Sequence, residues 1–165
     1  MNEKITVKRR AELELKIESL AYGGMGIAKK DNFVIFVKGA IPGQIVIARV
    51  YKKKKGYAEA RTLKVLVESP DAVEPRCNHF YICSKIQNLS YKEQLKEKGN
   101  QVEGAFQRLG GFKDFKLNNI VKGDPIFNYR NKMEFTFSPH RWVLDSEPQG
   151  VSKSFALGLH IPGRY

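Results

Sequence analysis

The stretch AELELKIESLAYGGMGIAKKDNFVIFVKGAIPGQIV, Ala11 to Val46, decides the fold class. Its opening alternates apolar Leu13, Leu15 and Ile17 with charged Glu12, Glu14, Lys16 and Glu18, the period of a half-buried strand. In YGGMGIAKKDN, Gly23, Gly24 and Gly26 allow tight turning. That loop resembles a phosphate loop only superficially, because no Walker lysine pattern fits and no helix follows. FVIFVKGA, Phe33 to Ala40, reads as a second strand, and Pro42-Gly43 as a turn. QIVIARVYK and GYAEARTLKVLV then complete a meander.

Five short strands with small turns in about 60 residues suit a small closed β-barrel of the OB type, which leaves no exposed edge. Between the last two strands lies YKKKKGY, Tyr51 to Tyr57. A lysine run at a hairpin tip is often a plain solvated turn. Here tyrosines flank it, and bases stack on such rings while lysines meet phosphates. The expected nucleic-acid contacts are therefore Lys52, Lys53, Lys54, Lys55 and Tyr57.

Charge supports that reading. The 165 residues carry a net charge of +12. Residues 1–68 hold 15 Lys/Arg against 7 Asp/Glu, and the remainder 14 against 10. An excess concentrated in one half points to a polyanion, nucleic acid before membrane, since no amphipathic anchoring helix is evident. A merely solubilising surface is the bland alternative. No stretch approaches the roughly 20 apolar residues of a membrane span, and the amino terminus lacks an apolar signal-peptide core. The expected location is the cytoplasm, with no membrane partner.

ESPDAVEP is a proline-punctuated connector, which places a boundary near residue 70 and divides the chain into 1–70 and 71–165. Ser90-Tyr91-Lys92-Glu93 has the form of a capping box. Tyr91, Leu95, Val102, Phe106 and Leu109 then fall near one helical face, and Gly110-Gly111 stops the helix. Strands are expected again in LNNIVKG, YRNKMEFTFSPHRWVLD and SFALGLHIP. The whole reads as β-rich α+β: an OB-like five-stranded barrel, then part of a domain with one long helix and antiparallel strands. The chain stops at HIPGRY, just past a strand, which reads as cut rather than finished.

These blocks resemble the amino-terminal part of the RNA 5-methyluridine methyltransferases, of the ribosomal RNA uracil-5-methyltransferase type. ESLAYGGMGIAKKDNFVIFVKGAIPGQIV is similar to their TRAM domain, an OB-like RNA-binding barrel. PRCNHFYICSKIQNLSYKEQLKEKGNQV resembles their cluster-binding segment and the following helix, and YRNKMEFTFSPHRW and ALGLHIPGRY resemble their central RNA-handling domain. The resemblance implies transfer of a methyl group from S-adenosylmethionine to carbon 5 of uracil. That carbon becomes nucleophilic once a thiolate adds to the ring beside it. In the family, the cofactor fold, cysteine nucleophile and base lie in a carboxy-terminal domain absent from these residues. No catalytic residue is therefore expected here, and the segment alone should bind RNA, ribosomal before transfer, without methylating it. A stand-alone OB-fold RNA-binding module is the rival reading.

The resemblance also bears on the two cysteines, Cys77 and Cys83. The family holds a four-iron four-sulfur cluster with Cys, five residues, Cys, two residues, Cys and a distant fourth. Cys77 and Cys83 match the first two positions, but Ile86 stands at the third. Clusters of this type want four thiolates, so none is expected. A zinc site with His79 matches no common spacing. A disulfide or an activated thiol stays open from sequence, and plain structural thiols, with Phe80, Tyr81 and Ile86 packing the turn, are the favoured reading. No cofactor is thus expected in the segment, only S-adenosylmethionine for a full-length enzyme.

In YRNK, Arg130 and Lys132 lie two apart, on one face of a strand. Resemblance tips them towards RNA rather than towards ordinary solvent-facing charge. His160 and Trp142 read as structural. In the family the helix packs on the catalytic domain; uncovered, the stripe along Tyr91–Leu109 is expected to make the segment a homodimer.

Overall fold

The computed structural model describes residues 7–144 and 147–159. The Cys83 side chain, His160 and the rest of HIPGRY lie outside the described residues. The chain divides into two compact units, Met1–Lys122 and Gly123–Tyr165.

The first unit is built on a six-stranded sheet in the order β1-β5-β6-β4-β3-β2. Its strands are β1 (Glu12–Lys16), β2 (Ser19–Leu20), β3 (Gly26–Lys30), β4 (Phe33–Lys38), β5 (Ile45–Lys53) and β6 (Tyr57–Val67). Alternation places Leu13, Leu15, Ile17, Ile35, Val37, Val46 and Val50 in one core. Small residues sit among them, with Ala28, Ala48, Ala58 and Ala60 fully buried, so the strands' inner faces approach closely.

Three features differ from the expected five-stranded meander. The glycine-rich segment contributes a strand of its own, β3, joined to β4 by Asp31 and Asn32 at φ 49° and 60°. A two-residue hairpin turn with both central residues left-handed matches the twist of its strands. The alternating stretch also breaks at Ile17-Glu18, giving β1 to one neighbour and β2 to another. Nor are β4 and β5 paired: β6 lies between them, parallel to β4 and antiparallel to β5. Residues 39–44 therefore cross rather than turn back. Gln44 secures the crossing: its Oε1 accepts from the Ile41 amide at 2.9 Å and its Nε2 donates to Glu68 at 2.6 Å. Among the described residues no ladder joins β1 to β2, so the sheet is open by hydrogen-bond pairing.

Residues 71–122 share this unit with the sheet. Leu20, Ile41 and Leu89 form a second buried cluster, with Ala72 and Ile86 against it. A one-turn helix α1 (Phe80–Cys83) precedes helix α2 (Tyr91–Arg108). Ser90 caps α2 by accepting from the Glu93 amide at 3.4 Å, satisfying one free donor of the first turn. The apolar stripe, expected to be uncovered, is not what α2 buries. Its buried side chains are Glu93 and Glu97, while Val102, Phe106 and Leu109 are exposed. The cause lies in the sheet edge: Leu20 donates its N–H to Glu97 Oε2 at 2.6 Å, and its carbonyl accepts from Gln101 Nε2 at 3.1 Å. Buried backbone groups require partners, and an i,i+4 pair of polar side chains supplies both.

The second unit contains β7 (Thr136–Ser138) paired antiparallel with β8 (Ala156–Gly158). Arg141 organises the loops beside them, donating to both carboxylate oxygens of Glu147 at 3.2 and 2.7 Å and to the Ser152 carbonyl at 3.0 Å. The strand expected in LNNIVKG does not form. The longer one expected from Tyr129 shrinks to three residues, because Lys132 to Phe135 have no ladder partner among the described residues. Among the described residues no helix is long and apolar enough to cross a membrane.

Candidate nucleic-acid interface

The buried positions of β4 and β6 are Ile35, Val37, Ala58 and Ala60, so the alternate residues face outward. Register then sets these outward residues side by side. Phe36 lies opposite Glu59 and Lys38 opposite Arg61, and Arg61 on its other side lies opposite Arg49 of β5. Lys38, Arg61 and Arg49 thus form a row of three exposed cations across neighbouring strands. Like charges placed opposite one another destabilise a sheet. Arg49 is offset by Glu12, whose Oε1 accepts from Nη2 at 2.6 Å and from Nε at 3.1 Å. Among the described residues Lys38 and Arg61 have no ion-pair partner.

Beside that row the rings of Phe36 and Tyr57 meet edge to face, their centroids 5.6 Å apart and their planes at 78°. Half-exposed aromatics interleaved with unpaired cations are the chemistry of a single-stranded nucleic-acid surface: rings for bases, guanidinium and ammonium groups for phosphates.

The lysine run is less uniform than its sequence suggests. Lys52 Nζ sits 2.7 Å from Glu59 Oε1, and Tyr51 donates to Glu59 Oε2 at 3.1 Å. The Lys52 hydrogen bond, foremost, holds the Glu59 carboxyl below the ordinary carboxylate value, and the same contact raises the Lys52 ammonium. Burial, then Glu59, pushes the Tyr51 hydroxyl up. Lys53 lies 5.9 Å from the centroid of the Phe33 ring. Lys54 closes the tip with its backbone N–H on the Tyr57 carbonyl at 2.8 Å. The ammonium groups of Lys54 and Lys55 remain exposed without an ion pair among the described residues. Of the expected contacts, Tyr57 belongs to the outward face and Lys54 and Lys55 to the tip, whereas Lys52 is engaged within the sheet.

Arg130 and Lys132 do not share a strand. Arg130 contacts Met133 Sδ at 3.7 Å and lies 5.9 Å from the Tyr129 ring centroid. Lys132 pairs with Glu134 at 3.0 Å. Phe36, Lys38, Arg49 and Arg61 were not singled out from sequence. The alternation of FVIFVK and GYAEAR could have put Phe36, Lys38, Tyr57 and Arg61 on the face opposite the core, but only the register sets them beside Arg49.

Cys77 is exposed. Ile86 is half-buried against the Leu20, Ile41 and Leu89 cluster, so an apolar packing residue stands where a third thiolate would be needed. The described residues therefore do not fit a four-thiolate cluster. Among them no three His, Cys, Asp or Glu side chains gather as a metal site.

The first unit is thus a small basic β-domain with aromatic and cationic residues on its outer face. Residues 6–63 match the TRAM domain. Along most of its length the chain is homologous to proteins named RNA methyltransferase. An uncharacterized RNA methyltransferase of Porphyromonas gingivalis is 36% identical over 159 residues, covering 92% of this chain and 34% of that protein. One from Bacteroides thetaiotaomicron is 38% identical over 151 residues, covering 88% and 33%. The chain spans about a third of the length of these curated relatives. Among solved structures, a conserved protein from the gene locus MMP0076 of Methanococcus maripaludis is 34% identical, covering 39% of this chain and 93% of that one, with a TM-score of 0.35.

Proposed function

We propose that the chain is the RNA-binding portion of an S-adenosylmethionine-dependent RNA uracil-5-methyltransferase, acting on ribosomal before transfer RNA. The observation that carries the RNA reading is the cation row Lys38–Arg61–Arg49 beside the Phe36–Tyr57 pair. The homologous RNA methyltransferases support the methyl-transfer part. In this reading the sheet curls into a closed barrel through the continuous run from β1 to β2. Its outer face grips phosphates and stacks bases, while Lys54 and Lys55 extend the grip at the tip. Phosphate contacts of this kind position the RNA without reading its sequence. S-adenosylmethionine would supply the methyl group in residues outside this chain.

The test is the nucleoside content of ribosomal RNA from cells with and without the gene, measured by mass spectrometry. One 5-methyluridine should disappear on deletion. Unchanged 5-methyluridine in both ribosomal and transfer RNA would sink the uracil-5 reading. The exposed Val102, Phe106 and Leu109 on α2 support self-association of the chain through that helix. Sedimentation at high concentration should then give a dimer mass, and a monomer mass would remove the idea.

A further inference from the structure

An open groove of about 630 Å³ lies between the glycine turn after β2, the segment after α1 and one side of α2. That is within the range of pockets taking small organic groups. Tyr22, on its lip, is 94% exposed. The turn and the opposite wall close up at Gly24, where an added Cβ would meet Lys85 Cβ at 3.2 Å and Ile86 Cγ2 at 3.3 Å. Lys85 and Lys98 line it as exposed cations, without ion pairs among the described residues.

Besides the two lysines and the Ser84 hydroxyl, the polar lining consists of Gln94, Glu97 and Gln101. Gln94 Nε2 donates to the Ile86 and Leu89 carbonyls at 3.1 and 2.7 Å. Gln101 Nε2 donates to the Leu20 carbonyl at 3.1 Å. Both N–H groups of the Gln94 amide are thereby committed, which leaves its Oε1 as the uncommitted atom, and an amide oxygen only accepts; Gln101 keeps one N–H beside its Oε1. Glu97, also in the lining, is acceptor-only when ionised.

We propose that this groove takes one unstacked nucleotide of single-stranded RNA, with Tyr22 against the base and Lys85 and Lys98 on its phosphates. It favours a base bearing an exocyclic amino group over uracil. Adenine, cytosine and guanine present N–H₂ donors to the glutamine oxygens. Uracil presents two carbonyls, which the fully committed Gln94 amide cannot pair, and a single N–H. The proposal rests on the RNA reading above, and it makes the groove a seat for a neighbour of the uridine proposed as the methylation target.

Fluorescein-labelled octamers (rA)₈, (rC)₈ and (rU)₈, titrated with the chain and followed by anisotropy, test it. Cytosine against uracil is the informative pair, since two pyrimidines of similar stacking area differ at the amino group. The chain should bind (rC)₈ at least fivefold more tightly than (rU)₈. Tyr22→Ala should lose about tenfold in (rC)₈ affinity, in keeping with the loss of one stacking ring, and most of the preference. Tyr22 is so exposed that circular dichroism should find this variant folded as the parent. Equal affinity for (rC)₈ and (rU)₈, or a Tyr22→Ala variant binding as the parent does, would overturn the groove while leaving RNA binding intact. No binding of any octamer by the parent chain would overturn both.

Discussion

Replacing Lys38 with serine and Arg61 with threonine together is expected to weaken single-stranded RNA binding about fifteenfold at 0.15 M salt and roughly sixtyfold at 0.05 M. Each phosphate contact on a single strand contributes about 0.7 to the slope of log affinity against log salt, so losing two flattens it by about 1.4. Those folds follow from that slope, taking about 1 M salt as the point where the electrostatic part vanishes. The same variant should fold at least as well as the parent. Lys38 and Arg61 are opposed like charges, so removing them relieves a few tenths of a kcal/mol of repulsion, and threonine suits a strand. A large loss of affinity with no loss of stability is an outcome a purely structural role would not produce. Lys52→Ser is the control: that ammonium already has Glu59 at 2.7 Å and should lower affinity far less. Equal losses from the two variants would mean that the lysine run, not the sheet face, carries the RNA.

The second large effect concerns how α2 is held. Glu97→Ala is expected to cost about 1–3 kcal/mol of unfolding free energy, because the Leu20 amide would be left buried without an acceptor. Leu20 and Glu97 are each only 4% exposed, so water has little access to repair the loss. Glu97→Gln keeps an acceptor at the same place and should cost under about 1 kcal/mol. Urea titrations of the two variants beside the parent read the difference. Equal costs would show that the helix is held by packing around Glu97 rather than by its grip on the Leu20 amide.

How far the sequence carries depends on whether a feature is local. Leu13, Leu15 and Ile17 alternate with charge, and the core they form is readable from that period alone. Ser90 before Glu93 marks the start of α2 for the same local reason. The position of β6 between β4 and β5 is not local, since it depends on where residues 39–44 cross and on long-range pairing. Phe36, Lys38 and Arg61 had outward parity in the sequence, yet their neighbours Tyr57 and Arg49 are set by that pairing. The face that α2 buries is polar, Glu93 and Glu97, which hydrophobicity does not mark, while Val102, Phe106 and Leu109 of its apolar stripe are exposed as expected. The edge strand exposed a backbone N–H and carbonyl at Leu20, and Glu97 and Gln101 answered them. The strand expected to carry Arg130 and Lys132 is missing for another reason: a strand-like pattern needs a partner strand, and among the described residues of that stretch only Thr136–Ser138 has one.

The central claim is that the outward face of β4, β5 and β6 meets RNA. Ultraviolet cross-linking of the chain to uniformly labelled single-stranded RNA, with the linked peptides located by mass spectrometry, tests it most directly. The account predicts cross-links concentrated in the peptides that contain Phe36 and Tyr57, lost when Lys38 and Arg61 are replaced. Cross-links confined to residues 123–159, or absent from both strands while RNA is bound, would contradict it.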